Sequence, residues 1–447
     1  QGIEQSLDYI ENLGVTALWL NPVYENNQPR YSYHGYSITD YYAVDARLGG
    51  NAAYESLAQS CRERNIVLIK DMILNHCGSE HRWISDLPFT EWVHRPDSFI
   101  RTSYRATTVF DPYVSESDAT RFREGWFDTT MPDLNQDHPQ LATYLIQQSI
   151  WWVERYGLGG IRMDTQAYPN PDFMEKWANR MKQEFPDLTL IGEIWEGRTG
   201  FISYWHNSFT SYQSGLDGVF DFPLHDAVKM GLNEHEGWWE GFSRIYASLA
   251  QDWLLKDAWT QLIFPDNHDV ERIFEVLNQD YARFEMAMAL YYTMRGIPQI
   301  YYGTEILMTG NKSKGDGAIR QDMPGGWPGD SICAFTGKQL NKQALRAQQL
   351  LRKLGEWRKE KAVIHDGKLV HFIPENGIYV YFRYVEDDAV MVVLNKNEAD
   401  VELDTRRFAE RLDGYQYGYE VIRDRKIGPL QKLIVPARGA MIIDLEK

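Results

Sequence analysis

The sequence predicts an α/β fold: a (β/α)8 barrel lacking its first strand, an inserted irregular domain and a C-terminal antiparallel β-sandwich. Three observations carry that reading. Helical segments alternate with short apolar runs along most of the chain. Those runs are apolar throughout, as strands of a parallel sheet buried on both faces must be. Acidic and polar residues collect where the runs end, and barrel sites are built at the C-terminal ends of strands.

The chain opens at helical spacing, with Ile3, Leu7, Ile10 and Leu13 on one face and Gly14 as C-cap. VTALWLNPV (15–23) follows as a strand. A helix around 52–64 leads to IVLIKDMILNH (66–76), and one around 139–156 ends at Gly157 and leads to GGIRMDT (159–165). Phe173, Trp177, Met181 and Phe185 recur every four residues before LTLIGEIW (188–195). GVFDFPL (218–224), WTQLIFPDNHD (259–269) and, after a helix around 281–295, IPQIYYGTE (297–305) bring the strands to seven. A closed barrel takes eight, so one strand is expected upstream of residue 1. An open doubly wound sheet is the alternative, but it leaves unexplained why polar residues gather at so many strand ends.

Residues 1–76 and 137–357 are assigned to the barrel. Residues 77–136, rich in His, Trp, Asp and Pro, are too long for a connecting loop and are assigned to the insert. Beyond that, KLVHFIP, Asn376-Gly377, IYVYFRYV and AVMVVLN read as antiparallel strands and a tight turn, which assigns 358–447 to the β-sandwich.

Lys and Arg number 46 against 63 Asp and Glu, a net charge of −17 over 447 residues. Such a surface repels phosphate backbones and anionic lipid, so nucleic acid and membrane are excluded as partners. No run approaches the ~20 apolar residues of a membrane span. Cys61, Cys77 and Cys333 form neither a disulfide framework nor a metal-ligand spacing. Aromatic residues at 14% would suit stacking on sugar rings, although most aromatics in any protein are core.

One strand ends in Asp71, Asn75 and His76, the next carries Arg162 and Asp164, and the one after it Glu193. Skipping one, the next ends in Asn267, His268 and Asp269. In a barrel these residues would face one mouth. One ionised carboxylate beside one protonated carboxylic acid is what glycoside hydrolysis uses. A lone Asp at a strand end is more often a helix N-cap, and His268 alone would read as a loop histidine. Glu193, inside an apolar run, has no cap to make. Asn75, His76 and Cys77 lack the ligand spacing of a metal site.

DMILNH (71–76), GIRMDT (160–165), GEIW (192–195) and PDNHD (265–269) resemble the four ordered signature motifs of the α-amylase superfamily of retaining α-glucan enzymes. YHGYSITDYYAVD (33–45), MPDLN (131–135) and GIPQIYYGTE (296–305) match its accessory motifs. The resemblance extends to about residue 445 and implies a TIM barrel with an inserted domain and a C-terminal β-domain. It implies that Asp164 is the nucleophile, that Arg162 keeps it ionised, and that Glu193 is the general acid and then base. Retention requires those two carboxyls about 5–5.5 Å apart. By the same resemblance Asp269, His76 and His268 would hold hydroxyls of the glucose unit at the −1 subsite, and Tyr36 would stack beneath it. Asp316 and Arg320 would bind the sugar at −2, while Asp71 and Asn75 support the shell. Trp195 would stack at a plus-side subsite or sit in the core.

MPDLN is similar to the neopullulanase and cyclomaltodextrinase branch, whose usual Lys is Asp133 here. The implied activity is hydrolysis of α-1,4 bonds in maltooligosaccharides, cyclodextrins or pullulan. A catalytically impaired glucan-binding fragment and a transglycosylase are the rival readings. Calcium is common in the family; here no cofactor is expected to be required and Ca2+ is expected to be optional or absent. Oligomeric state is not legible, and a periplasmic or secreted location is favoured over a cytoplasmic one.

Overall fold

The computed structural model describes residues 1–95 and 97–447. In chain order, its first strands are β1 (Ala17–Leu20), β2 (Tyr24–Glu25), β3 (Asp40–Val44), β4 (Val67–Met72), β5 (Gly160–Met163), β6 (Thr189–Gly192), β7 (Gly218–Val219), β8 (Leu262–Ile263) and β9 (Ile297–Pro298). All seven predicted runs contain one of these strands. Strands β1, β4, β5, β6 and β7 form a parallel sheet in that order, β8 pairs in parallel with β9, and β2 pairs antiparallel with β3.

The strands are shorter than the apolar runs, and the reason is local. In GVFDFPL the Asp221 carboxylate accepts from the backbone N–H of Leu224 and Pro223 sits in the first turn, so the chain turns into the helix Phe222–Asn233. The opening helix is likewise two pieces, Gly2–Gln5 and Leu7–Glu11. The helix Pro139–Tyr156 starts and stops as predicted, with Pro139 in its first turn and Gly157 left-handed at φ 60°.

The chain divides into two compact units. The first comprises Gln1–Leu7, Thr16–Phe220 and Leu254–Gln261. Its core packs Leu68, Met72, Ile161, Met163 and Leu190 of the sheet with Leu145, Trp152, Trp177 and Met181 of the helices Pro139–Tyr156 and Pro171–Glu184. Burying a side chain of this size contributes about 1.5–3 kcal/mol. Consecutive residues on β4 face opposite ways. Lys70 places its Nζ 3.4 Å from the Tyr24 ring centroid and 3.9 Å from that of Trp152, while Asp71 turns to Arg162. Among the described residues of 77–136 the elements are the short helices Arg82–Ser85 and Glu116–Glu124, 3-10 turns and isolated bridges.

The second unit comprises Asp8–Val15, Asp221–Trp253 and Leu262–Lys447. Beyond β9 it holds the helix Lys342–Glu360, which the sequence reading did not single out, and then β10 (Lys368–His371), β11 (Ile378–Tyr384), β12 (Ala389–Asn395), β13 (Val401–Asp404), β14 (Tyr417–Glu420), β15 (Arg425–Ile427), β16 (Lys432–Val435) and β17 (Gly439–Glu446). Six of these make a sheet ordered β10-β11-β12-β17-β14-β15, and β13 pairs with β16. Alternation along the strands explains the packing. Val380, Phe382, Met391, Val393 and Ile443 pack with Phe408, Leu433 and Val435, whereas Tyr379, Tyr381, Val392, Leu394 and Ile442 pack with Leu290, Leu351 and Leu354 of the helices. Asn376 and Gly377 are both left-handed, at φ 52° and 71°, the conformation a tight two-residue turn needs. Among the described residues no helix is long and apolar enough to cross a membrane.

Candidate active site

In the first unit, the parallel register assembles the site. Asp71 on β4 is the Cα partner of Arg162 on β5, so both side chains leave the same face. Asp164 lies two residues beyond Arg162, again on that face. The ladder continues past the strand ends, with Asp164 N–H donating to Met72 O at 2.9 Å and Glu193 N–H to Met163 O at 2.9 Å. At Gly192, just before Glu193, a Cβ would come 2.6 Å from Leu216 Cδ1, so that side chain would have to move to admit one.

The Arg162 guanidinium is the centre of the cluster. Its Nη1 donates to Asp71 Oδ1 at 2.9 Å and to Asp164 Oδ1 at 2.6 Å, and its Nη2 forms an ion pair with Glu193 Oε1 at 2.7 Å. Trp19, Phe220 and Tyr36 surround it, with ring centroids 5.2, 5.7 and 5.9 Å from Cζ. Burial works against the Arg162 charge, but Asp71, Glu193, Tyr36 and Asp164 together hold its pKa well above the ordinary range. Asp71 is pushed up to about 7, chiefly by burial, with Arg162 opposing and Asp164 adding to the rise. Its other oxygen, Oδ2, accepts from Tyr36 OH and Trp19 Nε1, each at 3.2 Å. Three carboxyls around one cation carry surplus negative charge when all are ionised, so the cluster favours keeping one proton.

Thr165 ties the two predicted catalytic carboxyls together. Its backbone N–H donates to Glu193 Oε2 and its hydroxyl to Asp164 Oδ2, each at 3.2 Å. A β-branched residue at φ 46° is strained, and such strain concentrates at functional sites. The sequence reading missed Thr165, Trp19 and Phe220; nothing in GIRMDT signals a left-handed threonine, and the two rings sit in runs that read as core.

His76 is buried and donates from Nε2 to the Tyr36 carbonyl at 3.1 Å, which fixes that nitrogen as the protonated one. Burial lowers its pKa to about 4, so it is neutral at pH 7. Trp195 is 56% exposed and is therefore not a core residue.

The second unit gathers the remaining predicted residues. Asn267 Oδ1 accepts from the backbone N–H groups of Asp269 and Val270 at 2.7 and 3.1 Å, shaping the turn after β8. His268 Nε2 lies 2.9 Å from Asp269 Oδ2. Arg320 donates to the His268 carbonyl at 2.8 Å and to Asp269 Oδ1 at 2.9 Å. Asp316 is 3.7 Å from Arg320 but 2.5 Å from Lys312 Nζ, so Arg320 engages Asp269 more closely than its predicted partner. Among the described residues no three His, Cys, Asp or Glu side chains form a group that could hold a metal ion.

The chain is similar to known proteins over most of its length. Residues 1–344 match the α-amylase catalytic domain, and residues 369–444 match the cyclo-malto-dextrinase C-terminal domain. Alpha-amylase 3 of Dictyoglomus thermophilum is 28% identical over 431 residues, covering 89% of this chain and 81% of its own length. A cyclomaltodextrinase of Geobacillus thermopakistaniensis is 24% identical over 414 residues, but this chain spans only 63% of that relative's length. The crystal structure of the Geobacillus thermoleovorans α-amylase complexed with acarbose aligns with a TM-score of 0.81 at 25% identity, covering 100% of this chain and 91% of that one. The chain therefore belongs to the α-amylase family of α-glucan hydrolases, with a TIM-barrel catalytic domain followed by an antiparallel β-domain of the cyclomaltodextrinase type.

Proposed function

We propose that this chain hydrolyses α-1,4-glucosidic bonds of maltooligosaccharides, cyclodextrins or pullulan with retention of configuration. The supporting observation is the Arg162 guanidinium, which holds an oxygen of Asp164 at 2.6 Å and one of Glu193 at 2.7 Å. Asp164 attacks the anomeric carbon while Glu193 gives a proton to the departing glycosidic oxygen. Glu193 then takes a proton from water, which breaks the glycosyl–Asp164 ester. For Tyr36, His76, His268, Asp269, Asp316 and Arg320 as sugar ligands, the support is their place in the family's motifs. The substrate range follows relatives named cyclomaltodextrinase and, from Thermoactinomyces vulgaris, neopullulanase 2.

Incubation with maltoheptaose, β-cyclodextrin and pullulan, with products separated by chromatography, tests the reading. Release of glucose, maltose or panose without longer products is the expected result. Disproportionation of maltotriose outrunning glucose release would instead make the chain a transferase, in which a second sugar outcompetes water for the shared intermediate.

Calcium, in this reading, is dispensable. Excess chelator is expected to leave Tm within about 2 °C, since less than about 1 kcal/mol of linked binding energy is at stake. A fall of many degrees would contradict it.

A further inference from the structure

Asp133, the residue that departs from the branch's usual Lys, has no part in the reaction described above. It lies in an extended segment flanked on both sides. On one side Cys77 N–H donates to Pro132 O at 3.1 Å and Leu134 N–H to Asn75 O at 2.9 Å. On the other, His94 N–H donates to Asp133 O at 3.0 Å and Asn135 N–H to Trp92 O at 2.9 Å. His76 and Asp133 stand directly opposite each other across the first of these edges.

The Asp133 side chain is 2% exposed, where an unpaired carboxylate costs several kcal/mol. His94 Nδ1 lies 2.7 Å from its Oδ2, and the Trp126 indole N–H holds the His94 carbonyl at 2.8 Å. Burial raises the Asp133 pKa to about 7, against the pull of His94 and Asn75, while Glu124, paired with Arg95 at 3.1 Å, raises it further. The side-chain pair therefore ties the middle segment to the flank that carries His94, at the residue facing His76 across the other edge.

We propose that Asp133 and His94 are positioning residues for His76: their side-chain contact braces the middle segment of the ribbon whose edge carries that histidine, and so sets substrate affinity without touching sugar. The inference rests on the assignment of His76 to the sugar site.

The test compares the full chain with Asp133→Asn, His94→Gln, the double variant and His76→Ala. Asp133→Asn is expected to raise KM for maltoheptaose about tenfold with kcat within about twofold, the signature of lost binding. The double variant should be no worse than the worse single, as for residues acting as one unit. Independently of turnover, amide exchange at Cys77 and Leu134 should speed up about tenfold in Asp133→Asn, while Asp164 and Glu193 amides keep their rates. Equal acceleration at all four would make Asp133 a general stability residue and overturn the proposal. So would a KM raised by His76→Ala but unchanged by Asp133→Asn. KM unchanged in both, with Cys77 and Leu134 still accelerated, would overturn the assignment of His76 to sugar and leave the brace standing.

Discussion

Asp164→Asn is expected to lower kcat/KM on maltoheptaose by on the order of 10^4-fold, the scale of removing one member of a catalytic unit. The amide keeps the shape of the carboxylate but cannot form the glycosyl ester. It also removes one negative charge from a buried cluster in which three carboxyls share Arg162, so Tm should not fall. Glu193→Gln should look different. Its loss should be large on maltoheptaose and much smaller on a maltosyl fluoride, whose leaving group needs no proton. Steady-state kinetics on the two substrates separate the roles. An Asp164→Asn enzyme retaining more than a tenth of activity, or Glu193→Gln losing equally on both substrates, would contradict the assignment.

Arg162→Met is expected to destabilise the fold by about 3–5 kcal/mol at neutral pH, the cost of stripping a buried charge of its partner. Asp71, Asp164 and Glu193, all buried, would lose the one guanidinium they share. The deficit should depend on pH. The Asp71 pKa is already raised to about 7 in the folded state, from 3.8, and loss of Arg162 removes the influence that lowers it. A carboxyl whose folded-state pKa is raised favours the fold at low pH, and that contribution is lost as pH rises through the folded pKa. The variant should therefore lie closest to wild type near pH 5 and furthest from it near pH 8, in denaturant titrations of both proteins. A deficit independent of pH would mean that Arg162 acts through packing rather than charge.

Much of this fold is legible because parallel strands buried on two faces leave continuous apolar runs, such as VLIKDM and TLIG, whose ends are polar. Where the reading overran, side-chain capping decided. Asp221 and Pro223 start a helix inside a run that looks like a strand, and Asp257 caps the 3-10 turn Ala258–Thr260, which takes up the first residues of another. The candidate catalytic carboxyls, Asp164 and Glu193, were legible as acids placed where apolar strands end. Other supports were not: Thr165 acts through a left-handed backbone, and Trp19 and Phe220 through rings indistinguishable in sequence from core; Asp71 was expected as a support, but its register with Arg162 was not. Register between strands ~90 residues apart in sequence is a tertiary property, and no local pattern encodes it.

A proton NMR time course of maltoheptaose cleavage, following the anomeric signals before mutarotation, bears most directly on a nucleophilic Asp164 beside an acid Glu193. New reducing ends should appear first as the α-anomer, because two displacements at one carbon restore its configuration. The β-anomer appearing first would mean a single displacement by water and would contradict the account.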